Sequence, residues 1–237
     1  MCSVSWVAAA GALDLFFNRD EQRTRAPGLP PVSGDRNNVR FFFPVDGKSG
    51  GTWIAANNRG LVTGLLNHYA ADTSPMPPTN ASRGAIIPGL IDATTPAEAA
   101  ERLTPAEAAT QRPFLLILLH HAHPGVRLTW DGVALAREPL DPARGFLTTS
   151  SFRTAEVVPS RHAVAAQTIW DAASLHDLHA SHLPERGPFS ICMHRPDART
   201  VSFTRIHSGP DEVRLDYHAD APCRPAPVHT VRMPRVG

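Results

Sequence analysis

Met1-Cys2-Ser3-Val4-Ser5-Trp6-Val7-Ala8-Ala9-Ala10-Gly11-Ala12-Leu13-Asp14-Leu15-Phe16-Phe17-Asn18-Arg19-Asp20-Glu21 is the stretch whose reading decides the fold. Val4 to Ala9 and Leu13 to Phe17 are strand-like, and Ala10-Gly11 between them is the expected turn of a hairpin. If the turn holds two residues, Ala9 faces Ala12, and counting outward places Cys2 opposite Arg19. Directly opposed residues of an antiparallel pair have Cβ atoms roughly 5 Å apart. A thiol, a guanidinium and the Asp20 carboxylate are thereby expected at one end of the hairpin. A slip of one residue would reverse the faces, so the expectation is specific.

Composition narrows the class. The 237 residues are 42% apolar with a formal net charge of +1, ordinary values for a globular chain. No linker divides the chain, so residues 1–237 are read as a single domain. A near-neutral chain without a basic stripe carries no footprint for nucleic acid. No run approaches the ~20 apolar residues of a membrane span. Val4 to Phe17 lacks the basic flank and cleavage site of a signal peptide and contains Asp14. Cys2, Cys192 and Cys223 are odd in number and lack metal-ligand spacing, which suits a reducing compartment. The expectation is a soluble, cytoplasmic protein without metal or cofactor: Gly47 to Gly51 lacks the phosphate-loop pattern, and no dinucleotide fingerprint occurs.

Further along, residues 22–40, polar and proline-rich, are expected to form a surface loop, and Arg40 to Pro44 a short strand. Gly50 to Ala56 and Leu61 to Asn67, joined by Asn57-Asn58-Arg59-Gly60, form a second hairpin. Its apolar second strand is expected to be covered on both faces. Residues 68–83 read as a loop. Thr95-Pro96-Ala97-Glu98 opens a helix that restarts at Thr104-Pro105. Phe114 to His120 is a buried strand, and Asp131-Gly132 turns a hairpin between Val126–Trp130 and Val133–Arg137. Phe146 to Ser151 is a short strand, and Ser160 to about Leu183 a long helix. Phe189 to Arg195, Thr200 to His207 and Val213 to Tyr217 complete a meander, followed by an irregular tail from Pro222. Helices grouped between runs of antiparallel strands imply an α+β architecture.

Cys2 is the leading chemical candidate. Excision of Met1 would put a thiol and an α-amine on one residue, with ordinary values near ~8.5 and ~7.7–8.0. The neutral amine can take the thiol proton, which is the nucleophile–base pairing of an N-terminal nucleophile. A small residue at position 2 also follows from methionine excision alone, so position by itself decides nothing.

Met1-Cys2, Asn18-Arg19-Asp20-Glu21, Gly50-Gly51-Thr52-Trp53, Gly60 to Asn67 and Ser82-Arg83-Gly84, in this order, resemble the NRDE family, also called the transport and Golgi organisation family. That resemblance is strong through about residue 84 and implies an N-terminal nucleophile hydrolase-like fold. In such a fold, a four-layer αββα sandwich places two antiparallel sheets between helices. By further resemblance to the choloylglycine hydrolase and penicillin V acylase group, Cys2 is the nucleophile, Arg19 and Asp20 support it, and Asn67 is an oxyanion donor. Asn18, Trp53, Thr149 and Ser150 are the expected substrate-binding residues. The implied function is a cysteine amidohydrolase or acyltransferase acting on a linear amide or thioester. The alternative is a non-catalytic carrier of haem or a lipid such as acyl-CoA, using the same pocket.

Two departures stand out. Arg19 and Asp20 are adjacent, whereas those hydrolases separate the pair, and neighbouring strand residues point to opposite faces. The downstream asparagine of those enzymes is replaced by the hydroxyls of Leu147-Thr148-Thr149-Ser150-Ser151. A later arginine falls near Arg195 or Arg205. His176, His179 and His182 share a helix face at i, i+3 spacing but lack another ligand, and His120, His121 and His123 end a strand. Cys192, in an apolar run, reads as core.

Overall fold

A computed structural model describes residues 2–69 and 82–236. Met1 and most of the loop expected over residues 68–83 lie outside the described residues. The first hairpin forms in the expected register: β1 (Cys2–Ala9) pairs with β2 (Ala12–Gln22), with Ala9 on Ala12 and Cys2 on Arg19. Ala10 and Gly11 both adopt positive φ, 50° and 76°, the handedness that matches the twist of paired strands.

The next strands are β3 (Gly28–Arg36), β4 (Val39–Asp46), β5 (Ile54–Asn57) and β6 (Val62–Asn67). A short 3-10 turn (Arg83–Ala85) then leads into α1 (Ile86–Leu90), α2 (Pro96–Arg102) and α3 (Pro105–Ala109). They are followed by β7 (Phe114–His120), β8 (His123–Trp130), β9 (Leu135–Leu140) and β10 (Arg144–Thr149). Helices α4 (Thr154–Ala165) and α5 (Ala172–Ala180) precede β11 (Ala198–Ser208), β12 (Glu212–His218) and β13 (Val228–Pro234). One antiparallel sheet runs β10-β1-β2-β11-β12-β13 and the other β3-β4-β5-β6-β7-β8-β9.

Alternation along the strands divides the core into three layers. Val4, Trp6, Leu13, Leu15 and Phe17 meet Ile54, Val62, Leu66 and Ile117 between the sheets. Leu61 just before β6, Leu65 of β6, and Leu116 and Leu118 of β7 pack against Ile87, Leu90 and Ala99 of α1 and α2. Val7, Phe16 and Phe203 pack against Leu175 and Leu178 of α5. Three apolar layers separate four layers of secondary structure, an αββα sandwich. The uninterrupted apolar run of β7 follows, because both faces of that strand are covered. Each such fully buried side chain contributes about 1.5–3 kcal/mol through burial.

Four local expectations are corrected. Residues 22–40 are exposed but contain β3, because Asn37 and Asn38, at φ 53° and 61°, close a hairpin onto β4. Its prolines are tolerated at a sheet edge and beside the register shift between Leu29 and Pro31. The long helix is two: Asp171 accepts a hydrogen bond from Ser174 N at 2.8 Å and starts α5 afresh as its N-cap. Phe189 to Arg195 is irregular although Ser190 to Met193 are buried, with one isolated bridge from His194 to Arg199. There the Ser190 hydroxyl bonds the backbone at Gly187 and Cys192 in place of a ladder. The tail carries β13, in which Val231 and Met233 face the intersheet layer.

No helix among the described residues is long and apolar enough to cross a membrane. The turn gives a direct test of the register. Alanine in a left-handed conformation is disfavoured by roughly 1–2 kcal/mol, so Ala10→Asn should stabilise the chain by about 1 kcal/mol. A urea midpoint that stays level or falls would contradict this turn.

Candidate active site

Cys2 begins β1 and is flanked on both sides: Arg19 of β2 is its partner on one edge and Thr149 of β10 on the other. Its side chain shares the intersheet face with Val4 and Trp6 and is 8% exposed. Its carbonyl accepts from Thr148 Oγ1 at 3.3 Å. Burial pushes the thiol above its ordinary value, with the Asp20 carboxylate adding to the effect. The Asp20 backbone N–H and the Arg19 guanidinium act the other way.

Arg19 lies on the same face as Cys2, continuing the series Leu13, Leu15, Phe17. Its guanidinium stacks over Trp53 at 4.4 Å, and Nη2 donates to Asp46 Oδ2 at 2.5 Å. Asp46 also accepts from Arg25 Nη2 at 3.0 Å, from Ser49 N at 2.8 Å and from Ser49 Oγ at 2.9 Å. Burial alone would raise the Asp46 carboxyl, but these hydrogen bonds and the guanidinium groups of Arg19 and Arg25 hold it below its ordinary value. Gly51 brings its backbone against Gly84, where an added Cβ would lie 2.5 Å from the Gly84 carbonyl carbon. This close approach accounts for the Gly-Gly pair before Thr52.

Asp20 points to the opposite face. β2 has no bulge at this point; the irregularity falls on β11, between Thr200 and Ser202. The Asp20 carboxylate accepts from Thr200 Oγ1 at 2.7 Å and from Arg161 Nη1 at 3.4 Å, both buried. Arg161, on α4, also donates to Thr148 Oγ1 at 3.1 Å and to Pro188 O at 3.1 Å. The guanidinium therefore ties together β10, α4 and the strand carrying the Asp20 N–H.

A cleft of about 1010 Å³ opens above the thiol, lined by Cys2, Arg19, Asp20, Trp53 and Asn67 among others. Its cations are Arg19, Arg25, Lys48, Arg83 and Arg112, and its acids Glu21 and Asp46, the Asp20 carboxylate being turned away and fully buried. Asn67 ends β6, and its Nδ2 donates to Tyr69 Oη at 2.7 Å.

Other expected residues sit elsewhere. Asn18 is on the helix-facing side of β2, where Nδ2 donates to the carbonyls of His179 and Ile191 at 2.8 and 3.0 Å. Ser150 bonds Phe152 O at 2.7 Å and does not line the cleft. Thr149 is buried beside Cys2, also outside the cleft lining. Arg195 pairs with Asp197, and Arg205 with Asp14; neither lines the cleft. The expected histidine triplet is split: His176 is half-exposed, His179 is buried with Nε2 2.9 Å from Ser5 Oγ, and His182 lies beyond the end of α5. Burial pushes His179 down to about 3, so its ring is neutral. His120 bonds the Arg59 carbonyl and lies beside Arg235.

Arg161 and Asp46 were not singled out in the sequence, and Arg83 entered only within the Ser82-Arg83-Gly84 motif, with no role assigned. Asp46 follows the Phe41-Phe42-Phe43-Pro44 strand and precedes the turn, a position with a mild loop signal. Arg161 has none, since only the packing of α4 across the sheet brings it to Asp20.

Solved structures share this fold. A Caenorhabditis elegans ortholog of N-acylethanolamine-hydrolyzing acid amidase matches with a TM-score of 0.57 and 14% identity, over 87% of this chain and 92% of that one. Penicillin V acylase from Agrobacterium tumefaciens matches with a TM-score of 0.58 and 13% identity, over 98% of this chain and 86% of that one. A variant of the conjugated bile acid hydrolase from Clostridium perfringens matches with a TM-score of 0.59 and 9% identity, over 98% and 92%. At these identities the likeness is one of fold, that of the N-terminal nucleophile hydrolases. No curated protein matches the chain by sequence. The family model described as transport and Golgi organisation 2 matches residues 1–150, and the chain belongs to that family.

Proposed function

We propose that the protein is a cysteine amidohydrolase or acyltransferase that acts on a linear amide or thioester through an acyl-Cys2 intermediate. The observation that carries this reading is the pairing of Cys2 with Arg19 at the base of a large cleft, with Asp46 and Trp53 fixing the guanidinium. The solved amidase, acylase and hydrolase of the same fold lend it support.

Because burial holds the thiol protonated at neutral pH, attack needs a base within reach. After removal of Met1 the Cys2 α-amine supplies one. The thiol proton passes to the amine as Sγ bonds the substrate carbonyl carbon, and the carbonyl oxygen becomes the oxyanion. Asn67 Nδ2, released from Tyr69, and a backbone N–H are assigned to hold that oxygen. Collapse expels the amine or thiol, which takes the proton from the Cys2 ammonium. Water or an acceptor amine then cleaves the acyl-Cys2 bond. Arg19 orients the substrate, and the preponderance of cations in the cleft suits a substrate with a carboxylate or phosphate. A cytoplasmic setting fits a free thiol nucleophile.

A second reading is favoured by one observation: the Asn67 amide is already engaged by Tyr69. On that reading the cleft holds haem or an acyl-CoA through its arginines and performs no chemistry. Titration with haem separates the two, since a Soret shift that persists in Cys2→Ala, without turnover by the wild type, supports the carrier.

The catalytic reading expects the intact mass of the purified chain to lack Met1. Cys2→Ala should lower turnover of an acyl thioester or anilide by more than about 10⁴-fold. Retention of Met1, or an active Cys2→Ala variant, would remove the mechanism.

Asp46 supplies an independent test. Asp46→Asn keeps the shape but frees Arg19, and a guanidinium displaced by about 1 Å costs on the order of 10²-fold in kcat/KM. The same change should lower stability by about 3 kcal/mol, the low end for a broken buried pair because Arg25 is partly exposed. The folded-state value of Asp46 is depressed below the ordinary ~3.9. Its contribution is therefore fully present above that value and lost as pH falls through the folded value. The stability difference between wild type and variant should be level above about pH 5 and close below it; a gap that widens on acidification would overturn the assignment.

A further inference from the structure

Away from the cleft, four side chains from three separate segments converge. His182 follows α5, Cys192 and His194 lie in the irregular stretch before β11, and Cys223 lies in the loop between β12 and β13. One ligand atom from each falls within 4.8 Å of all the others. His194 Nε2 is 3.6 Å from Cys192 Sγ and 3.3 Å from Cys223 Sγ. The buried His182 Nε2 has no hydrogen-bond partner among the described residues, and its ring meets that of His194 edge-on at 5.1 Å between centroids.

The two distances from His194 match those about a tetrahedral ion, and the remaining ligand atoms lie close enough to draw in. Zn–S bonds of about 2.3 Å and Zn–N bonds of about 2.0–2.1 Å separate neighbouring ligand atoms by roughly 3.3–3.8 Å. Two thiolates and two neutral imidazoles are a closed structural set, with a charge that cancels a divalent ion. The surroundings also call for a tie: residues 181–197 contain no strand or helix, yet Ser190 to Met193 are fully buried. Segments of that kind have few ladder hydrogen bonds to hold them.

We propose that His182, Cys192, His194 and Cys223 form a structural zinc site. The ion fastens the 181–197 segment and the β12–β13 loop to the back of the first sheet. Its ligands bracket Met193, whose N–H donates to Thr200 Oγ1 at 2.9 Å, and Thr200 in turn donates to Asp20. The site thus braces the face of β2 opposite Cys2, without touching the cleft. Spacing concealed it, because no C-x-x-C pair occurs and Cys192-Met193-His194 contributes only one arm. Ligand binding takes place with loss of the two thiol protons to solvent.

The test uses the full chain purified without a polyhistidine tag. Elemental analysis should find zinc at one equivalent per chain, and exchange for Co(II) should give the visible absorption of a tetrahedral ion with thiolate charge-transfer bands. Cys2→Ala should leave these bands unchanged, which excludes the third thiol. His194→Ala and His182→Ala should each weaken Co(II) binding by more than about 100-fold, beyond the loss expected for an outer-shell partner. Should either variant fail to fold, titration of chelator-treated wild type still decides the matter. Wild type that takes up no Co(II) or zinc with both thiols reduced would overturn the site. So would native chain whose mass and peptide map show a Cys192–Cys223 disulfide and no metal.

Discussion

A two-residue turn at Ala10-Gly11 fixes how β1 lies on β2, and the rest of the candidate site depends on that register. With Ala9 on Ala12, the period of two brings Cys2 and Arg19 to the intersheet face and sends Asp20 to the other. A slip by one residue would turn Leu13, Leu15 and Phe17 out of the central layer, so the core and the site are specified together. Few other elements of the chain carry both duties.

The consequence is a strand end gripped from both sides. On one face Asp46 and Trp53 hold Arg19; on the other, Arg161 and Thr200 hold Asp20. Adjacent residues cannot both aim side chains at one thiol, and β2 does not distort to let them. Asp20 instead reaches Cys2 through its backbone N–H. The separation of arginine and aspartate expected from the resemblance to the choloylglycine hydrolase and penicillin V acylase group is replaced here by a division between side chain and main chain.

Much of this was legible in the sequence where a local rule governed it. The turn, the Cys2–Arg19 pairing, the capped starts at Thr95 and Thr104, and the doubly covered β7 all follow from patterns a few residues long. Misreadings arose where tertiary packing overrode a local signal. Prolines in β3 and before β13 masked edge strands, and the buried Ile191-Cys192-Met193 run imitated a strand while lacking a ladder. Asn18 looked like part of the site because it borders Arg19, yet alternation sends it to α5. Arg161 was invisible for a different reason: its position beside Asp20 depends on a helix more than a hundred residues downstream in sequence.

The placement of charge argues that the strand end is held for geometry more than for stability. Buried ion pairs recover little of their desolvation cost, and apolar replacements of similar volume are often as stable. A chain that needed only to close this sandwich would be served by leucine at positions 19 and 161. Instead it buries two guanidinium groups near one thiol, each directed by a carboxylate. Removing the Asp20 carboxylate would take the paired acid from the buried Arg161, and removing that of Asp46 would leave Arg19 only the longer 3.8 Å contact with Glu21, so each pair is held to its partner's geometry. The combination fixes Cys2, its carbonyl and its neighbouring N–H relative to the cleft, which is the condition the proposed nucleophile, placed at the start of a strand, must meet.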